Sequence, residues 1–168
     1  MKRLVMDDVA IRRAINKIAK AIMDENGSAK GLVLVGTKGP GETLAKHLCE
    51  CIKQGYGRNV SWWGLDVTYI KDNISSPLLA GDGLMVNVVN KTVILVDDTI
   101  TSGRTAQAAI SAILSHGRAK VIKLAVLVDC GHRELPLQPD YIGKNIPTEK
   151  SEKIKVDFTT TPNAVYVK

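Results

Sequence analysis

Cysteine is scarce in this chain, with only Cys49, Cys51 and Cys130 among 168 residues. An odd number with no CxxC spacing speaks against a disulfide framework and against a zinc site, so reduced structural thiols and a cytoplasmic location are expected. Aromatic residues contribute only 4%, yet a content of 45% hydrophobic and 24% charged residues is that of an ordinary globular chain and not of a disordered one. Long apolar runs are missing as well. The start MKRLVMDDVAIRR returns to charge within a few residues, so neither a secretory nor a membrane-spanning segment is expected. No internal repeat, low-complexity tract or domain boundary shows. A single domain over 1–168 follows, large enough to bury roughly 70% of the surface of its unfolded form.

What is present begins with positive charge. Lysine and arginine outnumber acids by 23 to 17, for a net charge of +6. That excess attracts phosphates or nucleic acid, but the basic residues are spread along the chain, as on any solvated surface. From Asp7 to Asn26, Ile11, Ile15, Ile18 and Ile22 recur at helical spacing behind capping aspartates. The continuous apolar run Leu32–Val35 then reads as a strand buried on both faces, followed by the loop GTKGPG and a helix over about Glu42–Gln54. Val60–Ile70 alternates in strand fashion. Residues 71–90 show neither period, and so long a loop in a small domain is expected to be a binding flap. The cycle repeats with a strand at Thr92–Val96, a loop at Asp97–Arg104, a helix at Thr105–His116 and a strand at Val121–Asp129. Short strands near Tyr141, Ile154–Phe158 and Ala164–Val167 complete the tail.

The most informative window is Val93–Thr105, VILVDDTITSGRT. Four apolar residues deliver Asp97 and Asp98 to the carboxyl end of a strand, where open α/β sheets bind ligands. Adjacent acids repel and lose hydration there unless a cation or hydroxyl groups meet them. Thr101, Ser102, Gly103, Arg104 and Thr105 then lead into a helix, whose first amides and positive dipole end favour a phosphate. An acid pair is by itself commonly a cap or an ion-pair partner, and SGRT is only a turn. Together, carboxylates for ribose hydroxyls beside an amide nest for a 5′-phosphate describe one ligand with both groups, a phosphorylated ribose such as 5-phosphoribosyl 1-pyrophosphate (PRPP). The loop Thr37-Lys38-Gly39-Pro40-Gly41 approaches the nucleotide-binding pattern GxxxxGK[ST], but Glu42 stands where its lysine belongs and would repel phosphates, so an ATPase or GTPase is rejected. His47, His116 and His132 lack acids at motif spacing and read as surface or capping residues.

The window resembles the PRPP motif of type I phosphoribosyltransferases, and within them the PyrR family of pyrimidine-operon regulators and uracil phosphoribosyltransferases. AIRRAINKIAKAI, LVLVG, LAKHL and LAVLVDCGHRELPLQPDYIGKNIPTEKSEKIKV resemble that family in the same order over most of the chain. The resemblance implies an α/β fold with a central, mainly parallel sheet flanked by helices, a flap at about 71–90 that includes Lys71, and a small hood from about 130 onward plus the N-terminal segment. It implies uracil as base, UMP as product and Mg²⁺ carried by PRPP with no direct protein ligand. Asp97 and Asp98 would be the catalytic carboxylates; Thr99 and the 101–105 loop would complete the PRPP site, and residues 37–41 would hold pyrophosphate. Asp129, Cys130, Ile154 and Val156 would border the base.

Departures from the family pattern accompany the matches. Gly39-Pro40 replaces a Thr-Arg pair in the pyrophosphate loop, which leaves Lys38 as its cation, and Cys130 replaces an arginine. Thr101 stands where purine-specific relatives carry an aspartate, which weakens a purine reading. The family also binds the leader of pyrimidine messenger RNA with UMP as co-effector, through the first helix and a position after RELP. Here those places hold Asn16, Lys20 and Gln138, with Arg13 and Lys17 beside them. A basic replacement keeps phosphate attraction while changing sequence reading. The resemblance further implies a homo-oligomer. Two alternatives stay open, namely a phosphoribosyltransferase of other base specificity without RNA regulation and a non-catalytic PRPP or nucleotide sensor.

Overall fold

The computed structural model describes residues 1–68 and 87–168. The expected flap, with Lys71, therefore lies outside the described residues except for its last four. The elements are β1 (Arg3–Met6), α1 (Asp8–Glu25), β2 (Leu32–Thr37), α2 (Pro40–Tyr56), β3 (Ser61–Leu65), β4 (Thr92–Ile100), α3 (Arg104–Ser115), β5 (Val121–Asp129), β6 (Tyr141–Asn145), β7 (Ile154–Asp157) and β8 (Ala164–Val167). Helix α1 starts where Asp7 accepts the Ala10 amide at 2.8 Å and ends at Asn26, whose own amide reaches Ile22 O. Its isoleucine stripe is buried as its period requires.

Strands β3-β2-β4-β5-β6 form one parallel sheet in that order, and β1-β8-β7 form a separate antiparallel sheet. Alternate side chains of the parallel strands serve opposite layers. Leu34, Ile94, Val96 and Leu127 pack under α1 and α2, whereas Val35, Val93, Leu95 and Val126 pack with Ala109 and Ile113 of α3. Each such side chain, removed from water, contributes about 1.5–3 kcal/mol before entropy is charged against it. This two-sided burial explains the unbroken apolar runs in the sequence.

Several boundaries differ from expectation. Strand β4 runs on to Ile100 instead of stopping at Val96, because β5 pairs beside it through Asp97↔Val126, Thr99↔Val128 and Ile100↔Asp129. Asp97 and Asp98 are thus strand residues, and the loop shrinks to three positions, 101–103. Helix α2 begins at Pro40 and not near Glu42, since proline at the first helical position has its φ fixed and no amide to satisfy. Strand β3 ends at Leu65. The segment expected to form a hood divides: β6 extends the parallel sheet, and only β7 and β8 join β1 in the small sheet.

The chain leaves β2 for β3 on one side and continues from β4 to β5 on the other, so the strand order reverses between β2 and β4. Ligands bind at such a reversal, outside the carboxyl ends of the two strands. Close contact between β2 and α2 shapes that place. A Cβ on Gly36 would lie 2.6 Å from Gly41 O and 2.7 Å from Glu42 Cα, both backbone atoms. Gly36→Ala is therefore expected to lower stability by about 1–3 kcal/mol in urea denaturation, because α2 must shift to admit the methyl group.

Candidate active site

The carboxyl ends of β2 and β4 meet through side chains. Thr37 Oγ1 donates to Asp97 Oδ1 at 2.7 Å, and the Asp98 amide donates to the same oxygen at 2.9 Å. Both Thr37 and Asp97 are buried, whereas Asp98 and Thr99 are half-buried. Burial and the neighbouring Asp98 carboxylate hold Asp97 well above the ordinary carboxylate range, with the Thr37 hydroxyl and Asp98 amide opposing them. The two carboxyls thus differ in burial, Asp97 being the deeper, while both border the same cavity.

Beyond Asp98 the chain turns into α3. Asp97, Asp98, Thr99, Thr101, Ser102, Gly103 and Thr105 contribute to the lining of a cavity of about 290 Å³. Gly103 is the residue before the helix, with φ +92°, a conformation that disfavours side chains, and it provides no side-chain cap of its own to α3. The Arg104 amide meets Ser102 Oγ at 3.2 Å, and the exposed Arg104 guanidinium pairs with Glu134 at 2.9 Å.

A support for this loop was not legible beforehand. The segment after β5 folds back under it: Glu134 and Leu135 amides donate to Ser102 O at 2.9 and 3.1 Å, and the Cys130 amide donates to Ile100 O at 2.9 Å. Arg133 unites the parts. Its guanidinium donates to Thr101 O at 2.9 Å, Asp129 Oδ2 at 2.6 Å, Leu137 O at 2.7 Å and Gln138 Oε1 at 3.2 Å. Burial raises the Asp129 carboxyl, but Arg133 and the Gly131 amide outweigh it and leave the group below the usual range. The HRELP string was visible in the sequence, but nothing in it says that the arginine turns inward.

The other expected site residues fall in several places. Thr37 ends β2, Pro40 and Gly41 already belong to α2, and only Lys38 and Gly39 form a loop. The Lys38 amide donates to Leu65 O at 2.9 Å, and its ammonium lies 3.3 Å from Asp66 Oδ2. Asp66 escaped the sequence reading because its strand was drawn too long. Glu42 packs across β3, where a Cβ on Gly64 would overlap its carboxylate, and burial raises its carboxyl. None of Asp129, Cys130, Ile154 and Val156 lines the acid-pair cavity. Cys130 and Val156 are buried in the core, Ile154 is half-buried, and burial pushes the Cys130 thiol up to about 11. On α1, Arg13, Asn16, Lys17 and Lys20 are exposed; Asn16 accepts the Cys51 thiol at 3.0 Å, and Lys20 pairs with Asp24 at 2.8 Å. Gln138 is exposed and joined to Arg133.

A parallel sheet whose order reverses at a buried acid, followed by a glycine turn into a helix, is the frame of a type I phosphoribosyltransferase, and the comparisons place the chain in that class. The family model described as "Phosphoribosyl transferase domain" matches residues 6–161. The chain is 43% identical over 166 residues to proteins named "Bifunctional protein PyrR" from Bacillus cereus (strain AH820) and Bacillus thuringiensis subsp. konkukian, covering 95% of this chain and 92% of theirs. It belongs to the PyrR family of phosphoribosyltransferases. Among solved structures, the hypoxanthine phosphoribosyltransferase of Trypanosoma cruzi matches with TM-score 0.72 at 20% identity over 98% of this chain and 95% of that one. A hypoxanthine-guanine phosphoribosyltransferase from Bacillus anthracis matches with TM-score 0.68 at 22% identity over 89% and 86%. These last two likenesses concern the fold.

Two outcomes follow from the geometry. Because the raised Asp97 carboxyl keeps its proton in the folded state after the unfolded chain has lost it, wild-type stability falls as pH rises from about 4 toward the raised value. Asp97→Asn keeps an acceptor for Thr37 and Asp98 and removes that cost. It is expected to be more stable than wild type at neutral pH, with the advantage shrinking on acidification, in urea titrations at a series of pH values. Arg133→Lys, which cannot keep four donor contacts in one plane, is expected to raise the KM for PRPP about tenfold or more with a smaller change in kcat, by initial-rate kinetics.

Proposed function

We propose that this chain transfers the phosphoribosyl group of PRPP to uracil, giving UMP and pyrophosphate, and that it binds pyrimidine leader RNA with UMP as co-effector. The observation that carries the enzymatic half is the acid pair at the β2/β4 reversal, set beside the open start of α3 in one cavity. The 43% likeness to proteins named bifunctional supports the pairing of the two activities.

In the reaction, the base nitrogen attacks the anomeric carbon, its proton passes to solvent, and the bond to pyrophosphate breaks with the electron pair on the departing oxygen. Positive charge gathers on the sugar as this bond loosens. Asp98, held at the strand end by β4–β5 pairing, faces that charge and the ribose hydroxyls, and Asp97 fixes the strand end beneath it. The α3 amides hold the 5′-phosphate. Lys38 exchanges its Asp66 partner for pyrophosphate, an exchange of exposed ion pairs that costs little. Among the described residues no three metal-ligating side chains converge, and the less buried of the two carboxyls at the cavity is that of Asp98. Mg²⁺ entering with PRPP would meet that carboxylate and would supply positive charge for the departing pyrophosphate.

Incubation of the protein with radiolabelled uracil, PRPP and Mg²⁺ is expected to give UMP, and the double variant Asp97→Asn with Asp98→Asn is expected to lose at least about a hundredfold in rate. Absence of product with uracil, alongside turnover of a purine base, would overturn the specificity. Filter binding of leader RNA with and without UMP tests the regulatory half, and UMP-independent binding indifferent to sequence would overturn it.

A further inference from the structure

The cation of the 37–41 loop is held by an acid that is itself held. Lys38 Nζ lies 3.3 Å from Asp66 Oδ2, and Asp66 Oδ1 accepts both the amide of Thr68, at 2.9 Å, and its hydroxyl. Both oxygens of Asp66 are thus engaged, and the Thr68 contacts, with Lys38 after them, keep its carboxyl below the usual range. The two partners differ in freedom. The Lys38 side chain is 69% exposed and that of Asp66 only 18%, so the lysine is the one able to move.

The loop has little other positive character. The Lys38 amide is spent on Leu65 O at 2.9 Å, and Pro40 has no amide to give. A second carboxyl, that of Glu42, is half-buried against Gly64 and within electrostatic reach of both Lys38 and Asp66. One ammonium therefore serves two acids. The pair Arg104–Glu134, by contrast, joins side chains that are 65% and 57% exposed, where solvent screens the attraction.

The donors of an ammonium point to the corners of a tetrahedron, so two acceptors on one Nζ stand about 5 Å apart. A phosphate oxygen that took Lys38 in its present position would face the Asp66 carboxylate at that distance, and like charges repel there. Lys38 escapes this repulsion only by leaving Asp66, which its bonds to Thr68 hold in place.

We propose that Asp66 is a positioning residue that competes with pyrophosphate for Lys38, and so limits how tightly the pyrophosphate end of PRPP and the pyrophosphate product are held. That the anion is pyrophosphate rests on the reading of this loop given above. The 5′-phosphate, met by the start of α3, lies outside the competition.

The test is calorimetric titration of the full chain with pyrophosphate, PRPP and UMP, each with Mg²⁺ present. Asp66→Asn keeps an acceptor for Thr68 and removes the charge. It is expected to tighten pyrophosphate and PRPP about three- to fivefold, the range open to a partly exposed ion pair, and to leave UMP unchanged. Asp66→Ser, which can still accept the Thr68 amide, is expected to give the same result and serves if the asparagine variant folds poorly. Lys38→Gln is expected to weaken pyrophosphate about tenfold, and adding Asp66→Asn to it to recover less than about twofold, because the contested ammonium is gone. Unchanged or weaker pyrophosphate binding in both Asp66 variants overturns the proposal. An equal gain with and without Lys38 also overturns it, since simple repulsion would then suffice. Wild-type protein that binds neither pyrophosphate nor PRPP overturns the reading of the loop as well, whereas binding of both without turnover of uracil overturns only the enzymatic reading and leaves the competition standing.

Discussion

A hydroxyl and a carboxyl from strands sixty residues apart hold the site together. The Thr37–Asp97 hydrogen bond lies where the sheet order reverses, and it closes the top of the gap that this reversal opens between two loops. A buried carboxyl is costly, and the cost is met only because the Thr37 hydroxyl and Asp98 amide converge on one oxygen. With Asp97 tied to Thr37, half-buried Asp98 completes the acid pair at the cavity, and the three-residue turn into α3 starts from a set position. Gly36, which admits α2 close behind β2, serves the same end from the other side.

The phosphate loop is held from behind as well as from its ends. Three backbone hydrogen bonds and the Arg133 guanidinium connect it to the segment that follows β5. The same arginine reaches Gln138, which is exposed. The 101–103 loop and Gln138 are therefore joined through one guanidinium.

Much of the fold was legible because its signals are local. Helix α1 announces itself through four isoleucines and a capping aspartate, and the buried strands through unbroken apolar runs. The acid pair and SGRT could be read as a ribose-phosphate site since both halves of the ligand are served within thirteen consecutive residues. Boundaries were less legible where pairing decides them. Asp97 to Ile100 has a polar, loop-like composition, yet β5 supplies hydrogen-bonding partners that hold it as strand. Strand β1 escaped notice because four residues carry no period of their own, and only β8 makes them a strand.

The sequence by itself determined which chemistry this chain carries: two carboxylates, a phosphate-ready helix start and a lysine loop, all written in short contiguous strings. Tertiary structure alone decided how those groups divide their work. It tied Asp97 to Thr37 and left Asp98 half-buried beside it, bound Lys38 to Asp66, drew Arg133 beneath the loop, and set Lys153 against Lys168. The reason is that each of these outcomes depends on a partner distant in sequence or on the strand register, and neither is encoded in the spacing of neighbouring residues.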